Sequence, residues 1–151
     1  VELGREVYST RAPGDVDIIV ANTYAKANEA TLAVSAWAGF AKQGASMVLI
    51  ANAPEGQITH YVFGKFGKKS GGTLYYPRSS PSTNLRQLIV YSPYKIVDPF
   101  LPIEEAPGLV TWVKTWREAL EELRNVHGGR VKVAVLPDAE IQCPREILQQ
   151  C

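Results

Sequence analysis

Ile18-Ile19-Val20-Ala21-Asn22 and Val48-Leu49-Ile50-Ala51-Asn52 are two apolar runs that both end at Ala-Asn. A helical pattern lies between them, and polar, turn-prone residues follow each Asn. This order predicts a strand, a loop, a helix, a second strand and a second loop. Because open α/β sheets bind ligands just beyond the carboxyl ends of their strands, the repeat predicts where a site lies, although it does not say what binds there.

The composition is that of an ordinary globular protein. The chain has 151 residues, of which 46% are hydrophobic and 21% are charged, so we expect a single domain over 1–151 with a core that needs no disulfide. The net charge of +1 gives no electrostatic case for nucleic acid or for an anionic membrane as a partner. No apolar run is long enough to span a bilayer, and a cytoplasmic location is expected.

The two ends of the chain carry little functional signal. The sequence starts at Val1 without an initiator Met and without the regions of a signal peptide, which suggests a processed product or a piece of a longer protein. Cys143 and Cys151 lie near the C-terminus, where a disulfide would staple only the tail. We interpret both as reduced thiols and assign them no role.

Strand and helix patterns alternate along the rest of the chain. Strands are predicted by apolar, β-branched runs at 16–21, 46–51, 85–91 and 131–136. This alternation predicts an α/β fold, a three-layer Rossmann-like sandwich. Its sheet is expected to be mostly parallel with about four to five strands, and helices should cover both faces.

Two helices are predicted with more detail. The first should start at Asn28 as its N-cap and stop at Gly44. The second should run over 109–123, with Trp112 and Trp116 on a stripe that faces the core. A short helix is also expected at 58–66, and one helical turn in the tail.

The usual signatures of catalysis and cofactor binding are absent from the sequence. The stretch 64–72 is rich in Gly and Lys, but its spacing is not that of a phosphate loop. No Gly-x-Gly-x-x-Gly follows the first strand, which argues against NAD or FAD. There is no nucleophile elbow and no metal-binding spacing of Cys or His. His127, at the end of the second helix, is interpreted as structural.

Polar residues that follow the strand ends remain as candidates for substrate or cofactor contact. The main candidates are Asn22, Tyr24, Lys26, Asn28, Glu29, Asn52, Glu55 and His60. Ser92, Tyr94, Lys95 and Asp138 follow later strands. The alternative is that such residues cap helices and make turns. The two interpretations are balanced for Asn22 and Asn52, and the structural one is favoured for the later residues.

Three stretches together resemble a known family. Residues 17–26, 41–44 and 48–56 resemble the C-terminal domain of the nickel-pincer lactate racemase family. In that family a separate N-terminal domain carries the catalytic histidines and the lysine that tethers the nickel-pincer nucleotide. The C-terminal domain closes over the site and supplies a few contacts. The family's Tyr-Gln-x-x-Lys pattern is altered here, because Asn28, Glu29 and Leu32 stand at the matching positions.

The resemblance leads to a main hypothesis. The chain would be the C-terminal part of a two-domain, lactate-racemase-like enzyme acting on a 2-hydroxy acid as a racemase or epimerase. It would form one wall of an interdomain active site and be inactive alone, with no catalytic residue and no metal of its own. The nickel-pincer nucleotide would belong to the full-length parent. The missing N-terminal domain would be its partner, and a small hydroxy acid would be the ligand. Whether the protein also forms a homo-oligomer is left open by the sequence.

Two other hypotheses compete with the main one. The chain could be a non-catalytic Rossmann-like module that binds a small ligand or a partner through the loops after Asn22 and Asn52. A complete hydrolase using His60 is remote, because no motif positions a nucleophile. An ordinary hydrogen-bonded helix histidine is at least as good an interpretation of His60.

Overall fold

The computed structural model describes residues 2–54, 84–94 and 108–148, with the backbone only for 147 and 148. Eleven helices and strands occur in these ranges. In chain order they are α1 (Glu2–Tyr8), β1 (Ser9–Thr10), β2 (Ile18–Asn22), α2 (Thr31–Trp37), β3 (Ala45–Ile50), β4 (Leu85–Tyr91), β5 (Val110–Val113), α3 (Trp116–Val126), β6 (Val133–Leu136), β7 (Cys143–Pro144) and α4 (Arg145–Leu148). Short 3₁₀ turns occupy Ala27–Glu29 and Ala38–Phe40.

Five of the strands form one parallel sheet in the order β5-β4-β3-β2-β6. β3 lies at the centre, and its residues 45–49 are all buried, as expected for a strand covered on both faces. Separately, β1 pairs with β7 in a small parallel sheet. The predicted α/β sandwich with a parallel sheet is therefore confirmed.

Two apolar layers enclose the sheet. On one face, Val34 and Trp37 of α2 pack with side chains that include Ile19 and Leu49. On the other face, Ala119 and Leu123 of α3 pack with the apolar side chains of several strands. Helices thus lie on both faces, as the alternating pattern predicts. None of the described helices is both long enough and apolar enough to cross a membrane.

The first predicted helix is shorter than its apolar pattern. α2 begins at Thr31, with Ala30 at its cap position and no side-chain cap, so the N-cap role predicted for Asn28 is wrong. The buried face consists of residues 33, 34 and 37, whereas Leu32 is exposed. Gly44 has a φ of +80°, a conformation that favours glycine, but it leads into β3 and does not end the helix.

The first part of the second predicted helix is a strand in the structure. Residues Val110–Val113 form β5, and α3 starts only at Trp116. β-branched and aromatic residues favour a strand here, and Thr115 with Glu118 forms a capping box that starts the helix. Trp112 and Trp116 are about two-fifths exposed, so their predicted place in the core is wrong.

The other local predictions have mixed outcomes. β4 has the predicted bounds of 85–91, and the tail contains the predicted helical turn as α4. Residues 2–8 form the helix α1. Cys143 is a free thiol. The predicted helix at 58–66, the Gly-rich stretch at 64–72 and Cys151 lie outside the described residues.

Candidate functional site at the β2 and β6 strand ends

The strand order creates a switch point between β2 and β6. From β2 the chain moves to β3, then β4 and β5, and it returns to the opposite side of β2 as β6. The connection after β2 leads to α2, and the loop after β6 passes to the same face of the sheet, where Ala139 packs with Trp37. Ligands of open α/β sheets bind in the crevice at such a point, just beyond the carboxyl ends of the strands. The loops that begin at Asn22 and Pro137 border this crevice.

Asn22 joins these two loops. Its Nδ2 donates a hydrogen bond to the carbonyl oxygen of Pro137 at 2.8 Å, and its own carbonyl oxygen accepts one from the N–H of Ala139 at 2.7 Å. The side-chain amide of Asn22, a predicted ligand contact, thus has a hydrogen-bond partner within the fold. This geometry favours the structural alternative for Asn22.

Thr23 fixes the first loop over the neighbouring strand. It is fully buried, and its Oγ1 donates to the carbonyl oxygen of Ile50 at 2.7 Å. Its backbone N–H donates to the same oxygen at 3.2 Å. The sequence analysis did not single out Thr23. Its position directly after the strand-end Asn is the one signal that could have found it.

The loop after β6 is held from two sides. Trp37 of α2 donates its Nε1–H to the carbonyl oxygen of Ala139 at 2.7 Å, and this contact is buried. Gln142 accepts a hydrogen bond from the N–H of Asp138 at 3.0 Å. The crevice therefore has a rigid floor in which residues distant in sequence meet.

Several predicted candidates surround this floor. Tyr24 is 82% exposed, and Asn52 is exposed at the end of the next strand. Lys26 makes an exposed ion pair with the half-buried Glu29 at 3.4 Å. Asn28 lies half-buried in the 3₁₀ turn between them. Glu55, His60 and Lys95 lie outside the described residues.

Glu140 is a site residue that the sequence analysis missed. Both of its carboxylate oxygens are buried, and neither has a hydrogen-bond partner among the described residues. The pKa of Glu140 is raised from 4.5 to about 7, chiefly because the carboxyl group is buried. The charges of Asp138 and Glu29 contribute to this rise, and the charge of Lys26 opposes it. Its place in the loop after the fourth predicted strand could have identified it.

Asp138 adds a third buried carboxylate oxygen to the crevice. Its Oδ1 has no hydrogen-bond partner among the described residues. A carboxyl group with a pKa near neutrality can accept or donate a proton, and unpartnered carboxylate oxygens can accept hydrogen bonds from hydroxyl or ammonium groups. The crevice thus combines two acidic groups with one nearby cation, Lys26.

Aromatic side chains lie along the same edge of the sheet. Tyr91, the last residue of β4, makes an edge-on contact with Trp116, with ring centroids 6.1 Å apart. Tyr94 follows and is partly exposed, while the neighbouring Ser92 is buried and accepts a hydrogen bond from the Tyr94 N–H at 3.4 Å. Partly exposed aromatic rings of this kind are frequent in binding surfaces.

A different polar cluster lies at the opposite, amino end of the sheet. Ser46 is fully buried, and its Oγ lies 2.8 Å from Nε2 of His127 and donates to Oε1 of Gln87 at 3.3 Å. Gln87 in turn donates to Glu122 at 3.3 Å. This arrangement gives His127 structural partners, as expected, and it is remote from the crevice.

The crevice does not offer the ligands of a metal centre. Within residues 2–54, 84–94 and 108–148, no group of three His, Cys, Asp or Glu side chains could hold a metal ion. The described residues of the crevice therefore do not match a nickel-binding set. No role for a metal is assigned to them.

Comparison with known proteins agrees with the fold. No protein-family model matches the sequence, and no curated protein matches it. The fold is similar to that of the lactate racemase apoprotein from Thermoanaerobacterium thermosaccharolyticum, with a TM-score of 0.58 and 15% sequence identity. The match covers 94% of this chain and 38% of that protein. The chain thus has a lactate-racemase-like fold and spans well under half the length of that protein.

Proposed function

We propose that this chain is the C-terminal domain of a lactate-racemase-like enzyme, a racemase or epimerase of 2-hydroxy acids. In this proposal it forms one wall of an active site that lies between two domains, and it is inactive alone. The observation that carries the proposal is the fold likeness to lactate racemase, because it covers 94% of this chain and 38% of that protein. A second domain would supply the rest of the site.

The crevice at β2 and β6 would face that second domain. Tyr24 and Trp116 are exposed along the edge of the sheet that carries the crevice, where an added domain could cover them. Aromatic side chains at the centre of an interface often carry much of its binding energy.

The residues of the wall have distinct proposed roles. Lys26 would attract the carboxylate of a 2-hydroxy acid, in place of the family lysine, whose position Leu32 occupies. Glu140 would accept or donate a hydrogen bond at the substrate hydroxyl, since its pKa of about 7 leaves both protonation states populated near neutral pH. Burial keeps that pKa high, and the charge of Asp138 adds to the effect.

The nickel-pincer nucleotide would be held elsewhere. The described residues of this chain do not fit a nickel site. The described residues of this chain would therefore bind and orient the substrate. Histidines of the other domain would have to carry the chemistry.

The test is an activity assay on the complete gene product. Purified protein is incubated with each enantiomer of lactate and of other 2-hydroxy acids, and the products are separated by chiral chromatography. We expect interconversion by the complete protein and none by the 151-residue chain. Lys26→Ala should raise KM more than tenfold, whereas Arg124→Ala, which removes an exposed cation of α3, should leave KM unchanged. A gene that encodes only this domain would contradict the proposal.

A non-catalytic binding module is the alternative proposal, and Asn52 favours it. This side chain is exposed at the end of β3, where a small ligand could reach it without a second domain. Thermal-shift measurements of the chain alone with hydroxy acids and nucleotides distinguish the two. A clear stabilisation that is lost in Asn52→Ala, together with no racemisation by the complete gene product, would favour the module.

A further inference from the structure

β6 is an edge strand with its outer side open. It is the last strand in the order β5-β4-β3-β2-β6, and within the described parts of the chain only β2 pairs with it. An edge strand presents unpaired N–H and C=O groups, which can template the addition of another strand. The groups that face outward on β6 therefore decide what it can bind.

The register with β2 identifies those groups. The carbonyl oxygen of Lys132 accepts hydrogen bonds from the N–H groups of Asp17 and Ile18 at 2.9 and 3.2 Å. In a parallel pair, alternate residues of a strand bond to the same neighbour. The backbone groups of Lys132 and Ala134 thus point toward β2, and those of Val133 and Val135 point away from it.

The side chains at this edge are apolar and exposed. Val133 is 48% exposed and Val135 is 63% exposed, and both lie on the face that carries α3. Proteins usually protect an edge with a charge, a proline or a bulge within the strand. Here the charge of Lys132 and the ring of Pro137 flank the strand, and no residue within it is polar.

We propose that β6 pairs antiparallel with β6 of a second copy of this chain, about a two-fold axis at Ala134. In this register Val133 lies opposite Val135 of the second copy, and each such pair exchanges two N–H···O bonds. The outward groups of both strands are then satisfied. The four valines form one apolar block, and the two five-stranded sheets become one continuous sheet.

Neighbouring registers are worse. An axis between two residues would place opposed side chains on different faces of the sheet. An axis at Val135 would place Val133 opposite Pro137, which has no N–H to donate. An axis at Val133 would place Val131 opposite Val135 of the second copy, and Val131 is already half-buried against the core. The Ala134 axis uses both outward-facing residues of β6.

Because β6 has only four residues, the interface is small, and we expect a weak dimer that dissociates on dilution.

Analytical ultracentrifugation tests the dimer. Sedimentation of the 151-residue chain is measured from about 10 μM to about 1 mM, a range that brackets weak association. We expect a reversible monomer–dimer equilibrium that Val135→Lys weakens at least tenfold. Val7→Lys is the matched control, since Val7 is 62% exposed at a place remote from β6 in sequence, and it should associate like the parent chain. A monomer at every concentration would overturn the proposal.

Disulfide trapping tests the register even if Val135→Lys fails to fold. Opposed residues of a non-hydrogen-bonded antiparallel pair have Cα atoms about 4.5 Å apart, within the range of a disulfide. In a background with Cys143→Ser and Cys151→Ser, Ala134→Cys should form a dimer on mild oxidation. Lys132→Cys should not, because it faces Leu136 of the other copy. Equal cross-linking of the two variants, or cross-linking of neither, would reject this interface. Neither experiment depends on the proposed racemase activity.

Discussion

Glu140 links burial in the crevice to a pH dependence of stability. Its pKa rises from 4.5 to about 7 in the folded chain, chiefly because the carboxyl group is buried. The folded state therefore binds the proton more tightly than the unfolded state does. The stabilisation from this proton is complete below about pH 4.5 and is lost as the pH rises through about 7.

The Glu140→Gln variant tests this linkage. Glutamine keeps the size of the side chain but carries no charge, so the variant avoids the cost of a buried carboxylate. We expect it to be more stable than the parent by about 1 kcal/mol at pH 8 and equal to it at about pH 4, the full shift being discounted for partial solvent access. Urea unfolding at both pH values is the measurement. Glu121→Gln, on the exposed face of α3, should show no such pH-dependent difference.

The buried cluster around Ser46 implies one tautomer of His127. The carboxylate of Glu122 can only accept, so Gln87 must present its Nε2 to Glu122 and its Oε1 to Ser46. The hydroxyl hydrogen of Ser46 is then used by Gln87. Nε2 of His127, at 2.8 Å, must therefore donate to Ser46.

Nitrogen-15 NMR of the neutral imidazole checks this prediction. We expect His127 to be the Nε2–H tautomer, and a proton on Nδ1 instead would contradict the hydrogen-bond chain. Ser46→Ala should cost about 1–3 kcal/mol of unfolding free energy, because it leaves polar groups of Gln87 and His127 without a partner. The control Ser35→Ala, on the exposed side of α2, should change stability by a few tenths at most.

At the scale of elements, the strands were easier to predict than the helices. The β-branched run that ends at Asn22 and the segment Leu85–Tyr91 predict buried strands, because their apolar residues are continuous. An amphipathic helix would show apolar residues on one face only. The stretch 109–123 misled because apolar residues at 109, 112, 113 and 116 satisfy a helical period over a segment that contains a strand, a turn and a helix start. Thr115 and Glu118, spaced as a capping box, were the signal that separates them.

The capping box of α3 is testable by itself. Thr115 Oγ1 accepts a hydrogen bond from the Glu118 N–H at 3.2 Å, and Glu118 accepts one from the Thr115 N–H at 3.2 Å. The backbone N–H of Lys114, which donates to Oε2 of Glu118 at 2.7 Å, and then the backbone N–H of Thr115 hold the pKa of Glu118 below its usual value. Thr115→Ala should lower the unfolding free energy by about 1 kcal/mol, measured by urea denaturation. Thr111→Ala in β5, which removes no cap, should change the unfolding free energy by at most about 0.5 kcal/mol.

At the scale of the whole molecule, the crevice depends on contacts between distant parts of the chain. Asn22 and Pro137 are 115 residues apart, and Trp37 and Ala139 are 102 apart. The sequence could predict that polar residues follow β2, since they adjoin an apolar run. It could not predict that the Asn22 side chain would hydrogen-bond to the carbonyl oxygen of Pro137, or that Glu140 would be buried beside Asp138. Both outcomes depend on which strand lies next to β2.

Trp37 packs in the core through its ring and holds the crevice loop through its hydrogen bond to Ala139. Trp37→Phe keeps an aromatic ring in the core but removes the hydrogen bond. The variant loses the 2.7 Å hydrogen bond to Ala139 and some buried volume, so we expect a loss of about 2–4 kcal/mol in unfolding free energy. The released loop should also let water reach Glu140 and lower its pKa from about 7 toward its usual range. Carbon-13 NMR of the glutamate carboxyl groups measures that change. Phe40→Leu, which alters the half-buried ring 6.3 Å from Trp37, should leave the pKa of Glu140 in place. If Trp37→Phe destabilises the chain and the pKa of Glu140 stays near 7, the loop is held by Asn22 and Gln142 without Trp37.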